Sequence, residues 1–484
     1  MGRVKTRKIN EFLWEIPAEG DMRVPGRIYA DDFTMKILRE ETQSVQWDAL
    51  MQVRNVACLP GIQTASLAMA DIHPGYGFPI GGVGAFDMDE GVVSLAGVGF
   101  DINCGVRTMV IDLPLEDIVK KKESLADELF RAVPAGVGST GSLKLSLSEI
   151  DRVLTEGARF PLERGFGVKG DLEYIEENGV VAGADPSCVS GTAKQRQFKQ
   201  IGTLGSGNHY LEVQYVEEIF DRNAAEIFGL RDGTVVASIH TGSRALGHQI
   251  GTDYQKILAA ASGRYALKIP EAELVAAPIR SDEGKRYIAA VMAGINCGFA
   301  NRQAVSGTVR KVFEKFFSLG EESIRNLYEV GHNNLKFETH DVSGTNKRLL
   351  VHRKGATRAF AAGSTGVPSR YAGAGNPVLV GGTMGTASWI LVGTEKGMKE
   401  TFGSSVHGAG RLKSRKGALK EYRGSDIIND LSAGGMAIRV QGARSAAEEA
   451  PGAYKNVDRV VAIMEGAGVS RRVARLRPII CIKG

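Results

Sequence analysis

Apolar residues recur every three or four positions over residues 115–133, 148–157, 243–261 and 282–319, the spacing of one helical face, and predict four helices. The longest is read as two helices broken near Gly294 and Gly298, because glycine weakens a helix interior. A second class of segment is short, apolar and bounded by glycine or polar turn residues. Residues 106–111, 210–216, 234–240, 377–380, 389–392 and 473–482 read as strands on this ground. Helices and strands follow one another without the regular beat of a doubly wound sheet or barrel, and no fixed-period repeat is present. The expected class is therefore α+β. No Ser/Gly-rich or Pro-rich linker divides the chain, and the glycine-dense residues 363–375 and 404–416 read as loops. The expectation is one catalytic unit over residues 1–484, within which residues 213–321, richest in helical pattern, could form a subdomain.

Composition changes this picture little. The 484 residues are 43% apolar and 24% charged, an ordinary globular balance, and no apolar run is long enough to cross a bilayer. The basic start, Met-Gly-Arg-Val-Lys, lacks the apolar stretch of a secretory signal, which leads to the expectation of a cytoplasmic protein. Five cysteines, odd in number and without a C-x-x-C pair, argue against a disulfide framework and against a closed structural zinc site. A net charge of +5 permits a polyanionic partner but is modest for this length. The placement of the basic residues is more telling: Arg411, Lys413, Arg415 and Lys416 form one cluster, and Arg471, Arg472, Arg475 and Arg477 another, both suited to phosphates.

Only eight histidines are present, and several lie in glycine-dense or strand-end contexts where loops project side chains into clefts. Asp71 and His73 stand in Met-Ala-Asp-Ile-His-Pro-Gly-Tyr, and Asp101 and Cys104 in Gly-Phe-Asp-Ile-Asn-Cys-Gly. His209 follows Asn208, His240 ends a predicted strand, His332 precedes two asparagines, and His407 stands in Ser-Ser-Val-His-Gly-Ala-Gly-Arg. Asp101, Cys104, His209, His240 and His332 offer a carboxylate, a thiolate and three imidazoles, more than one catalytic divalent ion usually takes from a protein. A shared thiolate would make two ions possible, and two ions roughly 3.5–4 Å apart can clamp a phosphate. Taken singly, such histidines are more often hydrogen-bonding or surface residues, and spacing does not show that the five meet. Cys58, Cys188 and Cys297 read as packing residues. His407 has small neighbours that let a phosphate approach, and a neutral imidazole with one nitrogen held could attack phosphorus through the other. A plain loop hydrogen bond is the alternative.

Read together, these segments resemble the RtcB family of RNA-splicing ligases. The likeness runs from Met-Arg-Val-Pro-Gly-Arg-Ile-Tyr-Ala at residues 22–30, through the blocks above, to Val-His-Arg-Lys-Gly-Ala-Thr-Arg at 351–358, Gly-Thr-Met-Gly-Thr-Ala-Ser at 382–388 and the final Ile-Lys-Gly. It implies a fold of the family's own around a central metal and nucleotide cleft. It also implies a two-manganese site of Asp101, Cys104, His209, His240 and His332 with Cys104 as the bridge, and His407 as the residue that carries GMP. Asn208, Glu212, Ser388, Tyr454 and Lys483 would hold GTP: Glu212 and Lys483 at the base, Tyr454 stacked on it, Asn208 near the phosphates. A carboxylate suits guanine, whose N1–H and exocyclic amine are donors that adenine does not present together. The implied reaction joins an RNA 3′-phosphate, or a 2′,3′-cyclic phosphate after hydrolysis, to a 5′-hydroxyl in tRNA splicing or RNA repair. The implied partners are RNA, GTP and an archease-type activator, and Arg411–Lys416 with residues 352–358 would hold phosphate oxygens. A GTP-independent phosphodiesterase or end-healing phosphatase and a non-enzymatic RNA-binding factor are the rival readings.

Overall fold

The computed structural model describes residues 4–41, 48–136 and 138–484; the first three residues of the basic start lie outside these. All six predicted strands form, and all six belong to one eight-stranded sheet. Its order is Ile324–Gly331, Gly105–Ile111, Val235–Thr241, Tyr210–Ile219, Ser470–Lys483, Ser388–Gly393 and Pro377–Val380, with Ala437–Val440 pairing in parallel on Ser470–Lys483. A second, seven-stranded sheet runs through Ser66–His73, Ile80–Asp87 and the hairpin Asn333–Val342/Thr345–Lys354. This sheet is absent from the sequence expectation because its strands lack the usual signal. Ile80–Asp87 carries three glycines and Ser66–His73 is rich in alanine, residues depleted from strands and tolerated here because both segments are almost wholly buried.

Three helices follow the predicted periods closely: Leu115–Ala132, Ile150–Glu156 and Arg244–Arg264. The fourth does not break. Asp282–Phe317 is one continuous helix of 36 residues, capped by Ser281, whose side chain accepts from the Gly284 N–H. Its glycines serve close approach instead. A Cβ on Gly294 would lie 2.9 Å from Ile102 Cγ2, and one on Gly298 would lie 3.0 Å from both Cβ and O of Asn103. The loop holding Asp101 and Cys104 thus lies directly on the helix backbone. Asn103, in the left-handed conformation at φ 52, donates through Nδ2 to the Ile295 carbonyl at 2.9 Å. Among the described residues no helix is long and apolar enough to cross a membrane.

The long helix also carries the residue that ties the candidate ligand segments together. Arg302 is fully buried; its Nη1 donates to the carbonyls of Asn103 (2.6 Å) and Thr241 (2.7 Å), and its Nε to Glu329 Oε1 (2.7 Å). One guanidinium therefore joins the residue before Cys104, the residue after His240 and the strand that leads into His332. The other Glu329 oxygen pairs with Arg107, also fully buried. Removing one member of a buried charge network leaves the rest uncompensated. Arg302→Met is expected to lower unfolding free energy by about 3–5 kcal/mol in urea titrations. Arg302→Lys should recover little of it, because one ammonium cannot span two carbonyls and a carboxylate.

Candidate active site

Antiparallel pairing brings distant residues onto one face of the eight-stranded sheet. Tyr210 lies opposite His240 on one side and Lys483 on the other, and Glu212 opposite Ser238 and Cys481. Directly paired residues share a face, and so do residues two apart, so Glu212, His240 and Lys483 all point to the same side. His209 immediately precedes this strand, Asp101 and Cys104 precede Gly105–Ile111, and His332 follows Ile324–Gly331. The strand ends converge, and the five side chains with them.

Cys104 Sγ is 3.3 Å from His209 Nε2 and 3.2 Å from His240 Nε2. His209 Nε2 is 2.8 Å from Asp101 Oδ2, and His240 Nε2 is 3.1 Å from His332 Nε2. The donors fall into two groups, Asp101–Cys104–His209 and Cys104–His240–His332, each compact enough to hold a metal ion and sharing the one sulfur. The buried donors are poorly satisfied without a cation. Two Nε2 atoms face each other across 3.1 Å, where at most one hydrogen fits, and Asp101 Oδ1 has no hydrogen-bond partner among the described residues. Burial holds the His240 and His332 imidazoles well below their ordinary pKa, so both are neutral and have a lone pair to give. Burial likewise pushes the Cys104 thiol well up, with the Asp101 charge adding to it; a coordinated cation reverses that balance. Burial raises Asp101 too, but attraction to His209 and their hydrogen bond outweigh it and keep the carboxyl below its usual range. The set fits a pair of divalent ions.

His407 follows the short strand Ser404–Val406, which also begins the stretch expected as a loop, and its ring centroid is 4.6 Å from that of His332. Its Nδ1 lies 2.7 Å from Asp71 Oδ2, and the same oxygen accepts from the His407 backbone N–H at 3.1 Å. Asp71 is completely buried, so a neutral His407 carries its proton on Nδ1 and presents the Nε2 lone pair. Sequence reasoning noted Asp71 without giving it a role. Its signal was slight: a lone carboxylate in an apolar strand, flanked in space by Gly81 and Gly410, where a Cβ would collide with it.

A cleft of about 350 Å³ opens onto this centre, lined by Asp101, Cys104, Asn208, Glu212, His240, His332, His407, Tyr454 and Lys483 among others. Burial lifts the Glu212 carboxyl to about 7, against the pull of Lys483. Tyr454 is bound through its hydroxyl to Glu449 and accepts from Arg411 Nη1 at 2.7 Å. Ser388 is not among the residues that line the cleft; its hydroxyl accepts from Gln214 Nε2 (3.0 Å) and the Gly382 N–H (3.1 Å). Gln214 in turn donates to Glu212 at 2.8 Å.

The basic clusters divide. Arg411 and Arg415 line the cleft. Arg471, Arg472, Arg475 and Arg477 are not among the residues that line it and are ion-paired along the sheet surface, to Asp221, Glu465, Glu217 with Asp458, and Glu217; Arg411 and Arg415 are paired as well, both to Glu449. Residues 352–358 are likewise mostly core: Arg353 and Arg358 are buried on Glu338, and His352 accepts from the Ser94 N–H at 3.3 Å. Lys354 and Gly355 alone of this segment reach the cleft.

Comparison with known proteins agrees over nearly the whole length. The family model described as tRNA-splicing ligase RtcB matches residues 52–484. Relatives bearing the name tRNA-splicing ligase RtcB include one from Thermococcus kodakarensis, 48% identical over 484 residues and 99% of each chain. Another, from Archaeoglobus fulgidus, is 48% identical over 99% of this chain and 98% of its own. A third, from Pyrobaculum aerophilum, is 45% identical over 100% of both. With a family model and full-length relatives in agreement, the chain belongs to the RtcB family.

Proposed function

We propose that this protein is an RNA ligase that joins a 3′-phosphate or 2′,3′-cyclic phosphate end to a 5′-hydroxyl end, using GTP and two Mn²⁺ ions, in tRNA splicing or RNA repair. The observation that carries the reading is His407, held through Nδ1 by a buried carboxylate and placed against the His332 side of the paired ligand sets. In this reading the His407 Nε2 lone pair attacks the α-phosphorus of GTP, a P–N bond forms and pyrophosphate leaves. Asp71 stabilises the positive charge that the imidazole gains as it attacks. An oxygen of the RNA 3′-phosphate then takes the GMP and frees His407; a 5′-hydroxyl attacks the activated phosphate and GMP departs. Divalent ions held by Asp101, Cys104, His209, His240 and His332 would neutralise phosphate oxygens. Arg411 and Arg415, at the cleft wall, suit the departing pyrophosphate. Action as one catalytic unit and help from an archease-type partner belong to the same proposal and rest on the resemblance.

Incubation with α-labelled GTP and Mn²⁺ should leave acid-labile label on the protein, and His407→Ala should abolish it. Asp71→Asn should slow labelling by at least tenfold at unchanged protein stability. Failure of the wild-type chain to label, or undiminished labelling of His407→Ala, sinks the reading.

Glu212 supplies a pH test with a definite sign. Burial favours its protonated form up to about 7, whereas guanine recognition requires the carboxylate as acceptor. Binding below that pH must first expel a proton. The Kd for GTP, followed by calorimetry, should weaken about tenfold per pH unit below neutrality and level off above it. Glu212→Gln should bind GTP more weakly and lose this slope.

A further inference from the structure

The cleft has lining residues that the nucleotide reading leaves unused. Glu212, Tyr454, Lys483 and the two arginines are the lining residues that the nucleotide reading uses; Tyr76, Phe100 and Lys354 line the same cleft and have no part in it. Here three aromatic rings from three elements meet. Phe100, next in sequence to Asp101, packs edge-to-face with Tyr76 at 5.5 Å and tilts against His248 at 5.4 Å. The arrangement is rigid: Phe100 lies so close to Gly251 of helix Arg244–Arg264 that a Cβ there would come 2.6 Å from its ring, and Gln255 of the same helix donates to the Tyr76 hydroxyl. Tyr76 and Phe100 are only partly buried and His248 is exposed, so the rings are not closed into the core. Lys354 crosses beside them, donating to the Tyr76 and Phe78 carbonyls at 2.8 and 3.0 Å; burial lowers its ammonium to about 7, so the rings and not a fixed charge are what this part of the cleft offers.

We infer that Tyr76, Phe100 and His248 form a stacking shelf for the base of the nucleotide at a reacting RNA end. The inference rests on the ligase reading, which needs an RNA end to reach His407 on residues of the same cleft that GTP does not use. Unpaired bases at strand ends are held by aromatic faces, which accept any base, while cations track the backbone. An RNA end stacked on Phe100 is one residue from the ligand Asp101, so its terminal phosphate lies within reach of the centre.

The test uses the full-length, Mn²⁺-loaded protein without GTP, and anisotropy of a short dye-labelled RNA bearing a 3′-phosphate, intact or with its terminal base removed. Phe100→Ala should weaken binding of the intact strand about tenfold and leave the abasic strand unchanged, and Phe100→Tyr should restore the intact strand. If Phe100→Ala does not fold, His248→Ala carries the same comparison, since its ring is at the surface. Equal losses on both strands, or no loss in a folded variant, overturn the shelf. The labelled-GTP assay separates the two ideas: a chain that takes GMP but shows no base-dependent loss keeps the ligase reading alone. A chain that shows the base-dependent loss but takes no GMP keeps the shelf alone.

Discussion

The Cys104 sulfur is the point on which the site depends. It lies 3.3 and 3.2 Å from the imidazoles of two different strand ends, and belongs to both compact donor groups. A buried thiol set among imidazoles and a buried carboxylate is a costly arrangement unless a cation enters among them. Every neighbouring feature holds these donors at that distance: the glycines that let the Asp101–Cys104 loop lie on the long helix, the left-handed Asn103, and the Arg302 guanidinium that grips the segments from behind.

Behind the donors lies an unusual amount of buried charge. Arg302 and Arg107 share Glu329; Arg353 and Arg358 share Glu338; Arg310 pairs with Asp171. Such pairs are weak evidence for net stability, since desolvation offsets much of their attraction. Their geometric demands are strict, however: the Glu329 pairs fasten the eight-stranded sheet to the long helix, and the Glu338 pairs fix Arg353 and Arg358 to one strand of the seven-stranded sheet. This is also why residues 352–358 look like a phosphate-binding motif in one dimension and turn out to be structural in three. Their cations are used inside the protein.

One cleft gathers several kinds of chemistry. Its lining combines a raised carboxyl, a lysine and a tyrosine with a set of close-packed donors, a tethered imidazole and the aromatic faces of Tyr76 and Phe100. An RNA ligase must bring two strand ends to one phosphorus, and a cleft of mixed chemistry suits that task. The eight-stranded sheet provides it because its strands deliver residues from one face and from their ends together.

Much was determined by the sequence alone. Six strands and three helices follow from apolar period and turn residues, since those patterns report burial directly, and the ordered likeness to the RtcB family names the residues to examine. The seven-stranded sheet escaped because glycine and alanine suit its crowded, doubly buried strands but mimic turn or helix signals. The unbroken helix escaped because Gly294 and Gly298 answer to Ile102 and Asn103, not to their own turn. Tertiary structure alone decided that Asp71 holds His407, that Gln214 joins Ser388 to Glu212, and which arginines line the cleft. The physical reason is common to all three: a side chain's partners are set by strand pairing and burial between segments hundreds of residues apart, and local spacing carries no record of that distance.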